Sequence, residues 1–356
     1  MQTLTQTFPI KPMQSARQDT RTAGDSSAEK PIILLDIETT GLSPEMSTVF
    51  MIGCARLESD RLSLIQWLAD SLELQGEREV LNAFTQWLGE CLQHMPDLRL
   101  VTYNGHTFDL PFLKTRYVQC GLDCPLTVLE ESALPMSGSI QATDLYRELF
   151  PLKSLWPVPN MKLKTMSRWL DYSYSNAPEG RRLIKAYHEY IKTKDSDILN
   201  LLFLHNTDDL RALHSLLPLY NYLLLFRGAA RITSAHIQNS VLRICLKPEV
   251  FLPRPLSYEA FENRLSITLA EVLIETRIYP QGLRYYYTDI KNYVYLPEED
   301  YVLHKSMAAF IDKSHWQKAR RENCYTWFSP DDNFLNDEKR QKEYVYMLFR
   351  LFGFLR

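Results

Sequence analysis

The chain has 356 residues, of which 45% are hydrophobic and 23% charged, with a formal net charge of -3. That size suits about two domains and that composition a soluble globular protein with material for a real core. The near-neutral balance excludes a global basic field, so any contact with a polyanion must be a local patch.

Residues 1–29, "MQTLTQTFPIKPMQSARQDTRTAGDSSAE", are polar, rich in Thr, Ser and Gln, and lack the apolar core of a secretory signal. They read as a flexible leader. From Pro31 the pattern turns strand-like three times, in "IILLDIE", "TVFMIGCARLE" and "LSLIQWLA", with turns at "TTGLSPEMS" and "SDR". In "REVLNAFTQWLGECLQHM" the apolar residues Val80, Leu81, Phe84, Trp87, Leu88, Cys91 and Leu92 recur at helical spacing. A strand in "RLVTYNG" and a helix in "LPFLKTRYVQCG", with Pro111 in its first turn and Gly121 at its stop, come next, and "IQATDLY" is a further short strand. This order describes an α/β domain over residues 30–228, built on a mixed five-stranded sheet with helices on both faces.

Beyond Phe150 a loop in "PLKSLWPVPN" leads to helices in "MKLKTMSRWLDY" and "EGRRLIKAYHEYIKT". One or two long helices then run through "DSDILNLLFLHNTDDLRALHSLLPLYNYLLLF". The apolar run inside it, Leu216 to Phe226, is broken by Pro218 and Asn221 and is too short to span a bilayer. A small α+β domain is expected over residues 232–356. Its strands are "LSITLAEVLIETRIY", "GLRYYYTDI" and "NYVYLPEED", the last two forming a hairpin around Ile290-Lys291. Helices are expected in "HKSMAAFIDKSHWQKARRENC" and "DEKRQKEYVYMLFRLFGFLR". The first mixes aromatic and basic residues, which suits either a nucleic-acid contact or a solvated amphipathic face. The six cysteines are irregularly spaced. The one close pair, Cys120 and Cys124, has no nearby partner to complete a zinc site, so reduced core thiols and a cytoplasmic location are expected.

Acids stand where structure alone does not demand them. On a strand, Asp36 and Glu38 project to one face while Ile37 points away, and two like charges side by side repel. Asp109 lies just past a strand at a helix entrance, where it also reads as an N-cap. His205 and Asp209 are four apart on a helix and share a face, and Asp144 reads as either a support for the site or a cap. Four carboxylates and a histidine at strand ends and helix starts suit phosphoryl transfer with two magnesium or manganese ions. Such ions take hard oxygen ligands and clamp the attacking and leaving oxygens of an in-line displacement.

Here the residues resemble a known family. "DIETTG", "YNGHTFDLPFL" and "HNTDDL" are similar to the three motifs of DEDD-type 3′–5′ exonucleases in the ribonuclease H-like superfamily. With "NMKLKTMSRWL" between the second and third, the chain resembles the YprB-like branch, over about Ile32 to Phe226. The resemblance implies a metal-dependent exonuclease acting on DNA or RNA and releasing nucleoside 5′-monophosphates. Alternatives are a structure-selective endonuclease with the same site and an inactive nucleic-acid-binding scaffold. It implies that Asp36 bridges two ions, that Glu38 and Asp209 hold the one bearing the nucleophilic water, and that Asp109 reaches the second. His205 would be the general base. Thr39 and Leu42 would abut the terminal nucleotide, and Asn104 and Phe108 would shape the strand. One departure stands out: the His205 to Asp209 spacing is that of the tyrosine subclass, with histidine at the tyrosine position. Asp208 is the alternative ligand if the helix begins differently.

Overall fold

The computed structural model describes residues 1–10, 30–126 and 139–355. They divide into two compact units, one of residues 1–10, 30–126, 139–150 and 158–217, the other of residues 151–157 and 218–355.

The first unit is built on β1 (Gln2–Pro9), β2 (Ile32–Thr39), β3 (Val49–Leu57), β4 (Arg61–Leu68), β5 (Asp97–Thr102) and β6 (Ser139–Asp144), in the order β1-β4-β3-β2-β5-β6. The strands from β1 to β2 pair antiparallel, whereas β2, β5 and β6 run parallel. Its helices are α1 (Leu74–His94), α2 (Asp109–Gln119), α3 (Leu145–Leu149), α4 (Leu163–Trp169), α5 (Arg181–Thr193) and α6 (Ser196–Leu216). The period-two alternation of β2 sends Ile33, Leu35 and Ile37 to one face. There they are buried with Val80, Phe84 and Leu88 of α1 and Phe112, Leu113 and Tyr117 of α2. On the other face Phe50, Met51 and Leu68 pack against Leu183 and Tyr187 of α5 and Leu202 and Phe203 of α6, with Phe50 stacked on Tyr187 at 4.2 Å. Each fully buried side chain of this size contributes roughly 1.5–3 kcal/mol. Asp36 and Glu38 therefore lie on the α6 face of the sheet.

The sheet has six strands rather than five. The sixth is β1, which corrects the reading of residues 1–29 as a flexible leader over Gln2–Pro9; residues 11–29 lie outside the described residues. Its even-numbered positions turn inward and its threonines outward, all along the edge of β4. A half-exposed edge strand needs few apolar residues, and threonine favours it, so polarity alone misleads there.

A buried ion pair ties the helices of the first core to the sheet. Arg116 of α2 grips Glu77 of α1 through Nε (2.8 Å) and Nη2 (2.6 Å), while Glu77 also accepts from the Val49 amide at 2.8 Å. Arg116 reaches onward to the Pro44 carbonyl at 3.1 Å, in the loop that follows β2. Asp195 caps α6, accepting from the amide of Asp197 at 2.7 Å.

In the second unit α7 (Tyr220–Phe226) precedes an antiparallel sheet of β7 (Ala230–Gln238), β8 (Val241–Pro248), β9 (Leu256–Ala260), β10 (Asn263–Ile267) and β11 (Val272–Arg277), in the order β7-β8-β11-β10-β9. Small sheets of β12 (Leu283–Tyr286) with β16 (Tyr325–Phe328), and of β13 (Tyr293–Leu296) with β14 (Tyr301–His304) and β15 (Gln317–Lys318), follow. The short α8 (Lys305–Ala308) and α9 (Asp332–Leu335) and the long α10 (Glu338–Phe352) complete it. The unit begins before residue 232, because Tyr222 of α7 meets Trp156 edge-on at 5.4 Å and Phe226 packs on Phe349 and Phe354 at 4.9 and 4.7 Å.

Three expectations fail in this unit. The segment from Leu265 to Tyr279 is two strands, folded back at Thr268, whose amide donates to the Glu271 carbonyl at 2.8 Å. No hairpin joins the strands around Ile290-Lys291. A helical turn of Ile290–Asn292 redirects the chain, so β12 pairs with β16 and β13 with β14 and β15. The expected helix over residues 304–324 is confined to Lys305–Ala308. Beyond it Asp312 takes the Ser314 amide at 2.9 Å, and such a local side-chain bond competes with helix continuation.

Candidate active site

The site is assembled where β2, α2 and α6 meet. Asp36 and Glu38 leave the same face of β2, and the ladder to β3 shifts register between Glu38 and Thr39, at the strand's end. Asp109 occupies the first turn of α2, 7% exposed, and its carboxylate accepts the backbone N–H of Ile37 between the two β2 acids. His205 of α6 points Nε2 at Glu38 Oε1 (3.2 Å) and at Asp209 Oδ2 (3.5 Å). One ligand atom from each of Glu38, His205 and Asp209 lies within 4.8 Å of the others. Asp36 feels the charges of Glu38, Asp209 and Asp109. All four predicted acids and the histidine thus converge from three separate stretches of chain.

Asp208 does not join them. Its carboxylate accepts the Tyr172 hydroxyl at 3.1 Å and the Ser175 amide at 2.8 Å, so it pins the loop after α4. That leaves Asp209 as the acid facing His205. The same loop presents Tyr174, whose hydroxyl accepts from Ser167 Oγ at 3.3 Å and donates to the Asp209 carboxylate.

Crowding of like charge away from water sets the protonation. Burial first, then the charges of Glu38, Asp209 and Asp109, push the Asp36 carboxyl well above the ordinary carboxylate range, against the pull of its Asn206 hydrogen bond. Burial raises Asp109 to about 7 and Asp209 to about 6. Burial opposes a charged His205, but the hydrogen bond and charge of Glu38, with Asp209 and Asp208, outweigh it and hold the imidazole up at about 9. These acids cannot all ionise unaided. A set of hard oxygen donors that repel one another at neutral pH fits divalent cations such as magnesium or manganese.

The predicted substrate residues are placed as follows. Thr39 Oγ1 donates to the Gly41 carbonyl at 2.7 Å, shaping the turn that carries Leu42, and Leu42 is 86% exposed. Asn104 sits in the left-handed region (φ 66°) with its amide on Asp144 Oδ1 at 2.8 Å. Phe108 packs on Phe112 at 5.4 Å and against the core of the first unit, so its ring serves packing. Asp144 performs both expected roles: it caps α3 through the Arg147 amide (3.3 Å) and holds the amides of Asn104 and His106, the turn leading to Asp109.

The sequence reading missed the support beneath Asp36. Asn206, fully buried, donates Nδ2 to Asp36 Oδ2 at 2.7 Å, and its Oδ1 accepts Gln66 Nε2 at 2.8 Å, which fixes the direction of the amide. Gln66 also donates to the Phe203 carbonyl at 3.0 Å and accepts from Thr207 Oγ1 at 3.2 Å. Asn206 fits because β3 carries Gly53 opposite Asp36; a Cβ at that position would overlap Oδ1 of Asn206. Two signals were available: a glycine inside an apolar strand marks a close approach, and a glutamine among buried residues needs a partner.

The family model of the RNase H superfamily matches residues 33–221. Over 189 residues the chain is 29% identical to YprB, an uncharacterized protein of Bacillus subtilis (strain 168), covering 52% of this chain and 40% of that relative's length. Among solved structures, it is similar to a family B DNA polymerase from the hyperthermophilic archaeon Pyrobaculum calidifontis, at 16% identity over 57% of this chain and 26% of that one, with a TM-score of 0.42. It is also similar to E. coli exonuclease I in complex with a dT13 oligonucleotide, at 13% identity over 62% of this chain and 55% of that one, with a TM-score of 0.34.

Proposed function

We propose that the chain, which belongs to the RNase H superfamily and brings four carboxylates and a histidine within electrostatic reach of one another, is a metal-dependent 3′–5′ exonuclease of DNA or RNA. The convergence of Asp36, Glu38, Asp109 and Asp209 carries this reading. These acids would hold two divalent cations, Mg²⁺ or Mn²⁺, which supply charge neutralisation and Lewis acidity to the phosphodiester.

The chain's own groups do the rest. Asn206 keeps Oδ2 of Asp36 engaged, which leaves Oδ1 to meet a cation. Tyr174 and Asp144 hold Asp209 and the Asp109 turn in place. His205 Nε2 is positioned to accept the proton of the attacking water. With Glu38 and Asp209 facing it the imidazole is charged at neutral pH. With cations held by those carboxylates, their charge would no longer keep the proton on Nε2, and His205 would serve as the base. The exposed Leu42, on the turn after β2, would meet the terminal nucleotide.

Digestion of 5′-labelled DNA and RNA oligonucleotides with Mn²⁺, beside Asp36→Ala, tests the proposal. A ladder shortening from the 3′ end, absent in the variant, is expected; single internal cuts or no cleavage would overturn it.

A further inference from the structure

A cavity of about 410 Å³ opens beside the catalytic turn, at the carboxyl ends of β5 and β6, and no metal-binding acid lines it. Its walls include Tyr103, Asn104, Tyr146, Asn160 and Lys162. The cavity is built rather than incidental. The Tyr103 hydroxyl donates to the Met161 carbonyl at 2.5 Å, tying the segment before α4 to the end of β5. The rings of Tyr103 and Tyr146 meet edge-on at 5.6 Å. Asn160 Oδ1 accepts the Lys162 amide at 3.1 Å, which orders the backbone from which the Lys162 ammonium extends. That side chain has no carboxylate partner among the described residues. The cavity adjoins the chemistry directly, because the Asn104 carbonyl accepts the amides of Thr107 (3.1 Å) and Phe108 (3.2 Å), the turn that delivers Asp109.

Tyrosine rings, asparagine side chains and a lysine ammonium are what a nucleotide needs: a face to stack on, partners for base or sugar edges, and a counter-charge for phosphate. The volume lies in the range of small-ligand sites. We propose that this cavity is a subsite for a nucleotide upstream of the one being removed, with its base on Tyr146, its edges on Asn104 and its phosphate on Lys162. The inference rests on the nuclease reading. It places the scissile phosphate at the acids and the next stretch of strand across the Asn104 turn, so the subsite acts on chain grip and not on bond cleavage.

Tyr146→Leu and Lys162→Gln test it on two substrates. A 5′-fluorescein oligonucleotide fills the subsite, whereas the p-nitrophenyl ester of thymidine 5′-monophosphate has no upstream nucleotide. Each variant is expected to raise KM for the oligonucleotide about tenfold, the effect of losing one stacking or phosphate contact, with kcat near wild type. Hydrolysis of the ester should be unchanged. Equal losses on both substrates, or wild-type handling of the oligonucleotide, would overturn the subsite. Anisotropy of the same oligonucleotide in Ca²⁺ separates the two readings. A wild type that binds but cuts neither substrate refutes the nuclease, and weaker binding by the variants still supports the subsite. A wild type that does not bind refutes the subsite.

Discussion

Replacing Asn206 by alanine removes the donor that holds Asp36 Oδ2 at 2.7 Å while leaving Gln66 bonded to the Phe203 carbonyl at 3.0 Å, so α6 keeps its seat on the sheet. The lost bond is one to a charged acceptor, worth about 1.5–3 kcal/mol. If that energy serves to orient Asp36 for a cation, Mn²⁺ affinity should fall roughly tenfold to a hundredfold. Without the amide the Asp36 carboxyl also rises further, because Asn206 is the group that opposes its upward shift. Isothermal titration of Mn²⁺ into wild type and variant at pH 7.5 reads the change, and thermal melting without metal checks the fold. Gln66→Leu, which frees the Asn206 amide to turn, should give a smaller loss in the same direction. An Asn206→Ala variant that melts normally and binds Mn²⁺ within about twofold of wild type would show that Asn206 does not orient Asp36 for a cation.

Three further outcomes are expected. Asp209 and Asp109 titrate near 6 and 7 in the fold against 3.8 when unperturbed, and His205 near 9 against 6.5, so the metal-free fold binds more protons than the unfolded chain. Stability from these groups is complete below the unperturbed values and is lost as pH rises through the shifted ones. The Tm gained on adding Mn²⁺ should therefore grow from pH 6 to pH 8.5, and a gain that stays flat or shrinks would contradict the assignment. Glu77→Ala strands Arg116 among buried residues and should cost about 3–5 kcal/mol in denaturant unfolding; a loss under about 1 kcal/mol would show the pair to be dispensable. His205→Ala should lower kcat while Mn²⁺ still binds, and an unchanged kcat would remove His205 as the base.

The site was legible because its spacing is local. Asp36 and Glu38 are two apart on a strand and His205 and Asp209 four apart on a helix, and each interval alone puts the pair on one face. What joins the pairs is not local. The bond from Asn206 to Asp36 spans 170 positions and the Arg116 to Glu77 pair spans 39, and no periodicity encodes either. The edge strand β1 was hidden for a different reason: exposed threonines look like disorder when the partner strand is unseen. In the second unit short strands swap partners across small sheets, and "HKSMAAFIDKSHWQKARRENC" breaks early although its residues suit a helix. There Asp312 and Ser314 bond locally, and Met307 and Phe310 are 60% and 92% exposed, so the large apolar residues of its start give a helix no buried face.

On the proposed function, acids far apart in the chain meet around divalent cations. Crystals grown with Mn²⁺ and a non-hydrolysable oligonucleotide, measured at the manganese absorption edge, address it without reference to rate. Anomalous peaks bonded to oxygens of Asp36, Glu38, Asp109 and Asp209 are the expected result. A cleft with bound oligonucleotide and no anomalous density beside those oxygens would contradict it.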